Sequence, residues 1–240
     1  MPFIKDIQKY IYKYCANHLP DEDWLENEFN FIKKEELRNR IKTEYKNARY
    51  VYKIFEGLEV ENELLLAEVR LQILMYASIY ETILHYIIFD EYYRDEQCVK
   101  DLLVQKTLKE YSIPQQNLKK ISNELHHDQK NIITCYRTTV KRDITKVRFD
   151  EKCIVAKELG ILKDIKLDMP KIDERTGKTV NKICLCNDLI SIYEMRNAIH
   201  IHAEIKKDIE YHLYMSKLAY KRMRPFIDQV KEKLKNDNKI

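Results

Sequence analysis

Glycine and proline are scarce, with only 3 Gly and 5 Pro among 240 residues. Tight turns in sheets and phosphate-binding loops depend on glycine for backbone conformations that other residues avoid. The scarcity therefore argues against an all-β domain and against a glycine-rich phosphate loop. It favours long helices with few connections, and the chain is long enough to bury a core without disulfide support.

Regularly spaced cysteines are also missing, although the chain has six of them. Cys184 and Cys186 are separated by one residue, which is too few for the usual zinc-binding pair. The segment Met1–Asp6 lacks the apolar core of a signal peptide. We therefore expect free thiols in the cytoplasm, and we expect no metal ion and no cofactor.

An uninterrupted apolar run of membrane-spanning length is absent as well. The most apolar stretch, Leu64–Phe89, contains Glu68, Arg70 and Glu81. Charged residues at that depth are costly in a bilayer. The stretch is therefore predicted to be a buried helix, and no membrane association is expected. The formal net charge of +4 allows an anionic partner without requiring one.

What the sequence does contain is apolar residues at helical spacing, which predicts an all-α fold. Asp21 or Asp23 is expected to cap the second helix, and Asn187 or Asp188 the helix that carries Leu189, Ile192, Tyr193 and Ile199. The segment Met169–Lys182 contains Pro170 and Gly177 and predicts a loop or small hairpin before that helix. The other predicted helices cover about Phe3–His18, Trp24–Phe55, Glu61–Tyr93, Asp95–Tyr111, Pro114–Val140, Phe149–Leu162 and Ala203–Leu234.

The residues best suited to chemistry are Arg196, Asn197, His200 and His202, which fall within seven positions. An arginine offers a planar fork to phosphate oxygens, and a histidine exchanges protons near neutral pH. These residue types are the ones that metal-free phosphodiester cleavage requires. Arg196 and His200 share a face if the helix is continuous, whereas His202 joins them only if the helix ends near Ile201. The alternative is a surface ion pair or a buried hydrogen-bond cluster.

The segment Arg196–His202 resembles the signature of the HEPN superfamily, in which an Arg, often followed by Asn, is separated from a His by four to six intervening residues. The likeness extends upstream. Tyr76–Leu84 resembles the first long core helix of such proteins, and Phe149–Lys152 with Ala156–Leu162 resembles the helix before the motif helix. The resemblance implies an HEPN-like helical bundle over residues 61–240, preceded by an N-terminal helical extension over residues 1–60.

The resemblance also implies a function. Related proteins dimerise, join two motifs into one composite site and act as metal-independent endoribonucleases in toxin–antitoxin or phage-defence systems. Arg196 would bind and polarise the scissile phosphate, Asn197 would orient the site, and a histidine would serve as base or acid. His202 follows Arg196 after five residues and fits the signature, whereas His200 follows after three, so both stay candidates. The implied partners are RNA, a second copy of the chain, and an antitoxin or defence-system protein.

A second possibility is a non-catalytic HEPN-like module that binds RNA, a nucleotide or a protein partner through the same residues. Glu81 and Tyr193 are expected to support the site. Glu81 lies on an apolar helix face, where a carboxylate is costly unless it is paired, so Arg196 or His85 is its expected partner. A basic cluster with few compensating acids is predicted to contact RNA, although a solvated surface would look the same. It comprises Arg137, Lys141, Arg142, Lys146 and Arg148.

Overall fold

The computed structural model describes residues 2–110, 113–126, 135–173 and 177–240. Its residues fall into two compact units. The first combines Met1–Tyr92 with Arg148–Ile240, and the second is Tyr93–Val147. Residues 1–60 therefore belong to the same unit as the motif helix, and the predicted boundary at residue 60 does not coincide with a division between the units.

Helices dominate the described residues, and two two-stranded antiparallel sheets accompany them. The prediction of a mainly helical protein is confirmed at this level. The six cysteines are free, as predicted. In chain order the elements are α1 (Lys5–Asn17), α2 (Glu22–Phe29), α3 (Glu35–Gly57), α4 (Asn62–Tyr86), α5 (Gln97–Asp101), β1 (Val104–Glu110), α6 (Gln115–Leu125), β2 (Cys135–Lys141), α7 (Phe149–Glu158), β3 (Asp164–Ile172), β4 (Thr179–Cys184), α8 (Leu185–Asn197), α9 (Ile201–Lys207), α10 (Leu213–Lys221) and α11 (Met223–Asn236).

The core of the first unit is built around α4, which continues as a π-helical turn over Ile87–Tyr92. Tyr76, Tyr80 and Ile83 of α4 are fully buried, and α3, α7, α8 and α10 pack against this helix. By length and composition alone, Asn62–Tyr92 could cross a membrane, but 61% of its most apolar window is buried inside the protein. This burial confirms the prediction of a buried core helix.

Two segments of the first unit that were predicted as single long helices are divided into shorter helices in the structure. Asp21 caps α2 by accepting a hydrogen bond from the amide of Trp24 at 2.7 Å, as expected. The helix predicted over Trp24–Phe55 is interrupted between Phe29 and Glu35, where Phe31 and Ile32 enter the core. The segment Ala203–Leu234 spans three helices, and Asp208 ends the first of them in the left-handed conformation.

The second unit contradicts the prediction of two helices over Asp95–Tyr111 and Pro114–Val140. Instead, β1 and β2 pair in antiparallel register from Val104–Lys141 to Glu110–Cys135, and α5 and α6 are short helices. The strands contain the β-branched residues Thr138, Thr139 and Val140, which fit a pleated surface better than a helix. Residues 111–112 and 127–134 of the predicted helices lie outside the described part of the chain.

A hairpin precedes the motif helix, as predicted, although β3 begins at Asp164 rather than near Met169. Gly177 adopts a φ of +65° in its turn, and residues 174–176 lie outside the described chain. The hairpin leads directly into α8, whose N-cap is Cys184. The expected caps Asn187 and Asp188 are therefore wrong, since both residues lie inside the helix.

Candidate active site at the end of α8

The motif helix ends in the middle of the motif. The last residue of α8 is Asn197, His200 has an extended backbone (φ −67°, ψ 125°), and α9 begins at Ile201. Arg196 and His200 therefore do not lie on one continuous helix, so the condition under which they would share a face is not met. The helix break on which a role for His202 depended is present.

Arg196 is held by uncharged groups. Its Nη1 donates to Oδ1 of Asn197 at 2.9 Å and to the hydroxyl of Tyr193 at 3.5 Å, and its guanidinium lies 5.2 Å from the centre of the Tyr193 ring. No carboxylate in the described ranges forms an ion pair with it. The side chain is thus a half-buried, permanently charged group whose charge is not neutralised by a direct counterion.

Tyr193 links Arg196 to the charged side chains of Glu81 and Lys152. Its hydroxyl donates to Oε1 of Glu81 at 3.1 Å, and Nζ of Lys152 lies 3.8 Å from the same oxygen. The Lys152 side chain is only 4% exposed. Glu81 therefore contacts Tyr193 and Lys152 rather than the expected Arg196 or His85, because a buried ammonium group requires a nearby counterion.

Burial shapes the protonation of this network. It lowers the pKa of Lys152, and Glu81 partly opposes the shift. It raises the pKa of Tyr193, with Glu81 adding to the increase, so the phenol remains a hydrogen-bond donor at neutral pH. Burial and the positive charge of Lys152 also lower the pKa of His85, one turn beyond Glu81 on α4.

Helix α7 positions the aromatic part of the site. The ring of Phe149 stacks on that of Tyr193, with 4.3 Å between centres and 21° between planes. The roles of Phe149 and Lys152 were missed by the sequence analysis, although a signal was present. Phe149, Cys153 and Ala156 form a helical apolar stripe, and Lys152 occupies a position on that stripe. A lysine there has to be buried with a counterion.

The two candidate histidines are exposed. Neither imidazole forms a hydrogen bond or ion pair within the described residues. Helix α9, which contains His202, is nevertheless anchored, because its Glu204 forms an ion pair with Arg70 of α4. The guanidinium of Arg70 also lies 5.2 Å from the Tyr211 ring centre. The end of α9 is therefore tied to the core while the imidazoles remain accessible to a ligand.

The residues predicted to bind RNA fall into both units. Arg137 and Lys141 are exposed on one face of β2, because alternate strand residues point the same way. In the same unit Arg142 donates to the carbonyl of Lys146 at 2.8 Å. Arg148 belongs to the first unit, and both its Nε and Nη2 bond to the carboxylate of Asp150. This pairing leaves Arg148 less suited to a phosphate than the exposed Arg137 of β2.

Within the described ranges, no three His, Cys, Asp or Glu side chains are grouped as ligands for a metal ion. Comparison of the chain with protein-family models, with curated proteins and with solved structures found no match. The argument for function therefore rests on the residues and geometry of the site.

Proposed function

We propose that the protein is a metal-independent endoribonuclease of the HEPN type, with a toxin or phage-defence role and a composite site at a dimer interface. The observation that carries this proposal is the environment of Arg196. Its guanidinium is fixed by Tyr193 and Asn197, and no carboxylate of the described chain pairs with it. A phosphate would supply the missing counterion and would match the planar fork of the arginine.

The chemistry follows from the residue types that surround this phosphate. One imidazole removes the proton from the attacking ribose 2′-hydroxyl, whose oxygen forms a bond to phosphorus. The P–O5′ bond breaks, and a second imidazole protonates the leaving oxygen. Arg196 stabilises the charge that develops on the phosphorane oxygens. His200 and His202 supply two such groups in each chain, and a dimer brings a second set.

The network behind Arg196 explains how the guanidinium keeps its place without a direct carboxylate. Tyr193 is fixed by its stacking on Phe149 and by its hydrogen bond to Glu81, which Lys152 in turn holds. A carboxylate in direct contact would compete with the substrate phosphate for Arg196. A neutral phenol supports the side chain and leaves its charge available to RNA.

The direct test is cleavage of RNA in excess EDTA by the wild-type protein and by Arg196→Ala, His200→Ala and His202→Ala. The proposal predicts cleavage by the wild type, a loss of at least about 100-fold in Arg196→Ala, and a comparable loss in at least one histidine variant. Arg40→Ala is the matched control, since Arg40 is exposed and pairs with Glu44 on the surface of α3. Unchanged cleavage by the three motif variants would overturn the assignment.

One observation favours the second candidate, a non-catalytic module that binds RNA. Neither His200 nor His202 has an orienting hydrogen bond among the described residues, whereas a catalytic histidine is usually held by a third group. The same assay separates the two functions. RNA binding that depends on Arg196, without cleavage under any metal or pH condition, supports the binding module and contradicts the nuclease.

A further inference from the structure

A second site lies away from the motif, where the linker between α1 and α2 meets α2, α3 and α10. It is a cleft of about 420 Å³. We call it the Arg49 pocket. Its lining includes His18, Asp21, Trp24, Tyr45, Arg49 and Tyr220. None of these residues belongs to the Arg196 network.

Arg49 is the charged group of this pocket. Its guanidinium carbon lies 4.6 Å from the ring centre of Tyr220 and 5.3 Å from that of Tyr52, so aromatic rings hold it through cation–π contacts. No ion pair joins it to a carboxylate in the described chain. A positive charge held in a concave site without a counterion is suited to an anionic ligand.

The acidic groups near the pocket are already engaged. Asp21 caps α2 by accepting from the amide of Trp24. The buried Glu28 bonds to Arg224 at 2.9 Å and lies 3.6 Å from Nζ of Lys231. Neither carboxylate forms an ion pair with Arg49, although Asp21 keeps its own negative charge among the lining residues.

Aromatic rings form the remaining walls. Tyr45 is 6% exposed, and the centres of the Trp24 and Tyr45 rings are 5.7 Å apart with an interplanar angle of 31°. Trp24 is half-buried, and Tyr220 is 41% exposed. Accessible aromatic surface beside a fixed arginine is the arrangement that binds a stacked base together with its phosphate.

From this combination we propose that the Arg49 pocket binds a nucleoside monophosphate. The base stacks against the aromatic walls, and the phosphate pairs with Arg49. The volume falls within the range of about 300–1,000 Å³ that is typical of small-molecule sites. The inference does not rest on ribonuclease activity, because the pocket shares no residue with the Arg196 network.

The single tryptophan provides a local probe, since Trp24 is the only Trp in the chain and it lines the pocket. Intrinsic fluorescence is titrated with AMP, GMP, CMP and UMP, with adenosine and inorganic phosphate as separate arms, and the affinities are repeated by calorimetry. We expect saturable quenching by at least one monophosphate, and weaker binding of adenosine and of phosphate alone. Comparing these ligands measures the contribution of the nucleoside and that of the phosphate separately.

Variants locate the binding. Arg49→Met should weaken nucleotide affinity about tenfold or more, because a charge-assisted contact is lost. Tyr220→Leu should weaken it about two- to fivefold through the lost cation–π contact. Arg40→Met, on the exposed surface of the same helix, should leave the affinity unchanged, and thermal unfolding verifies that each variant is folded.

Three results would overturn the inference. The first is the absence of binding by all four monophosphates at millimolar concentration. The second is binding that Arg49→Met does not weaken although the variant is folded. The third is equal affinity for a monophosphate and for inorganic phosphate, which would remove the role of the aromatic walls. Each result is independent of whether the protein cleaves RNA.

Discussion

At the scale of single residues, the candidate site depends on how charges are distributed around Arg196. The nearest carboxylate in its network, Glu81, reaches it only through the hydroxyl of Tyr193. The ammonium group of Lys152 also contacts the carboxylate of Glu81. The negative charge therefore balances the buried lysine, and the positive charge of Arg196 remains available at the surface. The sequence indicated the identity of the cation but could not show which group would neutralise Glu81.

His85 leads to a prediction about stability and pH. Its folded-state pKa is lowered from the ordinary value of 6.5, mainly by burial and then by Lys152, while Asp90 and Glu81 oppose the shift and Lys34 adds to it. As the pH falls through about 6.5, the unfolded chain binds a proton more readily than the folded chain. The folded state therefore loses stability between that value and the lower folded pKa.

We accordingly expect the wild-type melting temperature to fall as the pH is lowered from 7.5 to 5.5, because the unfolded chain takes up the His85 proton within this range. In His85→Gln the fall should be smaller, because the titrating group is absent. His126→Gln is the control, since His126 is exposed, and it should keep the wild-type dependence. An equally large fall in wild type and His85→Gln would contradict the role given to this histidine.

At the scale of elements, the sequence predicted the helices with strong apolar periodicity and missed the strands. Helix α4 was predicted within a few residues because its stripe faces four neighbouring helices. Strands β1 and β2 were assigned to helices because their residues are mostly exposed, so no burial pattern distinguishes a period of two from one of 3.6. The break after Asn197 was predicted only approximately, between Ile199 and Ala203, because no proline or glycine marks its position.

The ion pair between Asp188 and Arg222 fixes α8 to the junction of α10 and α11. Nε of Arg222 lies 2.6 Å from Oδ2 of Asp188, and the side chains are only 18% and 15% exposed. Arg222→Met leaves Asp188 largely buried without its partner, so we expect a loss of about 2–4 kcal/mol in the free energy of unfolding. Urea denaturation followed by circular dichroism measures the change.

Arg148→Met is the matched comparison for this pair. Arg148 contacts Asp150 through both Nε and Nη2, but its side chain is 73% exposed. Solvent already screens such a pair, so little change in unfolding free energy is expected. If both variants lost the same stability, burial would not be what makes the Asp188–Arg222 contact important.

The two-stranded β1–β2 sheet carries a separate prediction about RNA. The register places Lys106 opposite Thr139, so Lys106 shares a strand face with Arg137 and Lys141. Replacing Arg137 and Lys141 by Gln should weaken RNA binding across sequences and reduce the salt slope by about 0.7 for each lost phosphate contact. Fluorescence anisotropy of labelled single-stranded RNA at several salt concentrations measures both effects.

Lys109→Gln supplies the control for the β1–β2 sheet, because Lys109 lies on the opposite strand face and is also exposed. It removes one positive charge from the same unit without changing the Lys106–Arg137–Lys141 face. An equal reduction per charge in affinity and slope would show that the β1–β2 sheet attracts RNA only through its overall charge. The predicted contact surface would then be wrong.

At the scale of the whole molecule, contacts between segments that are distant in sequence organise the first unit. The first unit joins residues before Tyr92 to residues after Arg148, and the network of the site depends on that joining, since Glu81 lies in one part and Lys152 and Tyr193 in the other. The motif itself could be identified from residue types and spacing. Its supporting groups could not, because their proximity arises only from the packing of α7 and α8 on α4.

The proposed composite site makes catalysis depend on association of two chains of 29.1 kDa each. Below the dimer dissociation constant, the active fraction falls with dilution by mass action, so cleavage per chain should decrease as the protein is diluted. Light scattering after size-exclusion chromatography should show a dimer-to-monomer transition over the same concentrations.

Subunit mixing tests the same dependence on two chains. Excess Arg196→Ala chain should inhibit the wild type, because mixed dimers contain one incomplete motif, whereas Arg40→Ala should not inhibit. Constant activity per chain across a dilution that produces monomers would place the whole reaction within one chain and contradict the composite site.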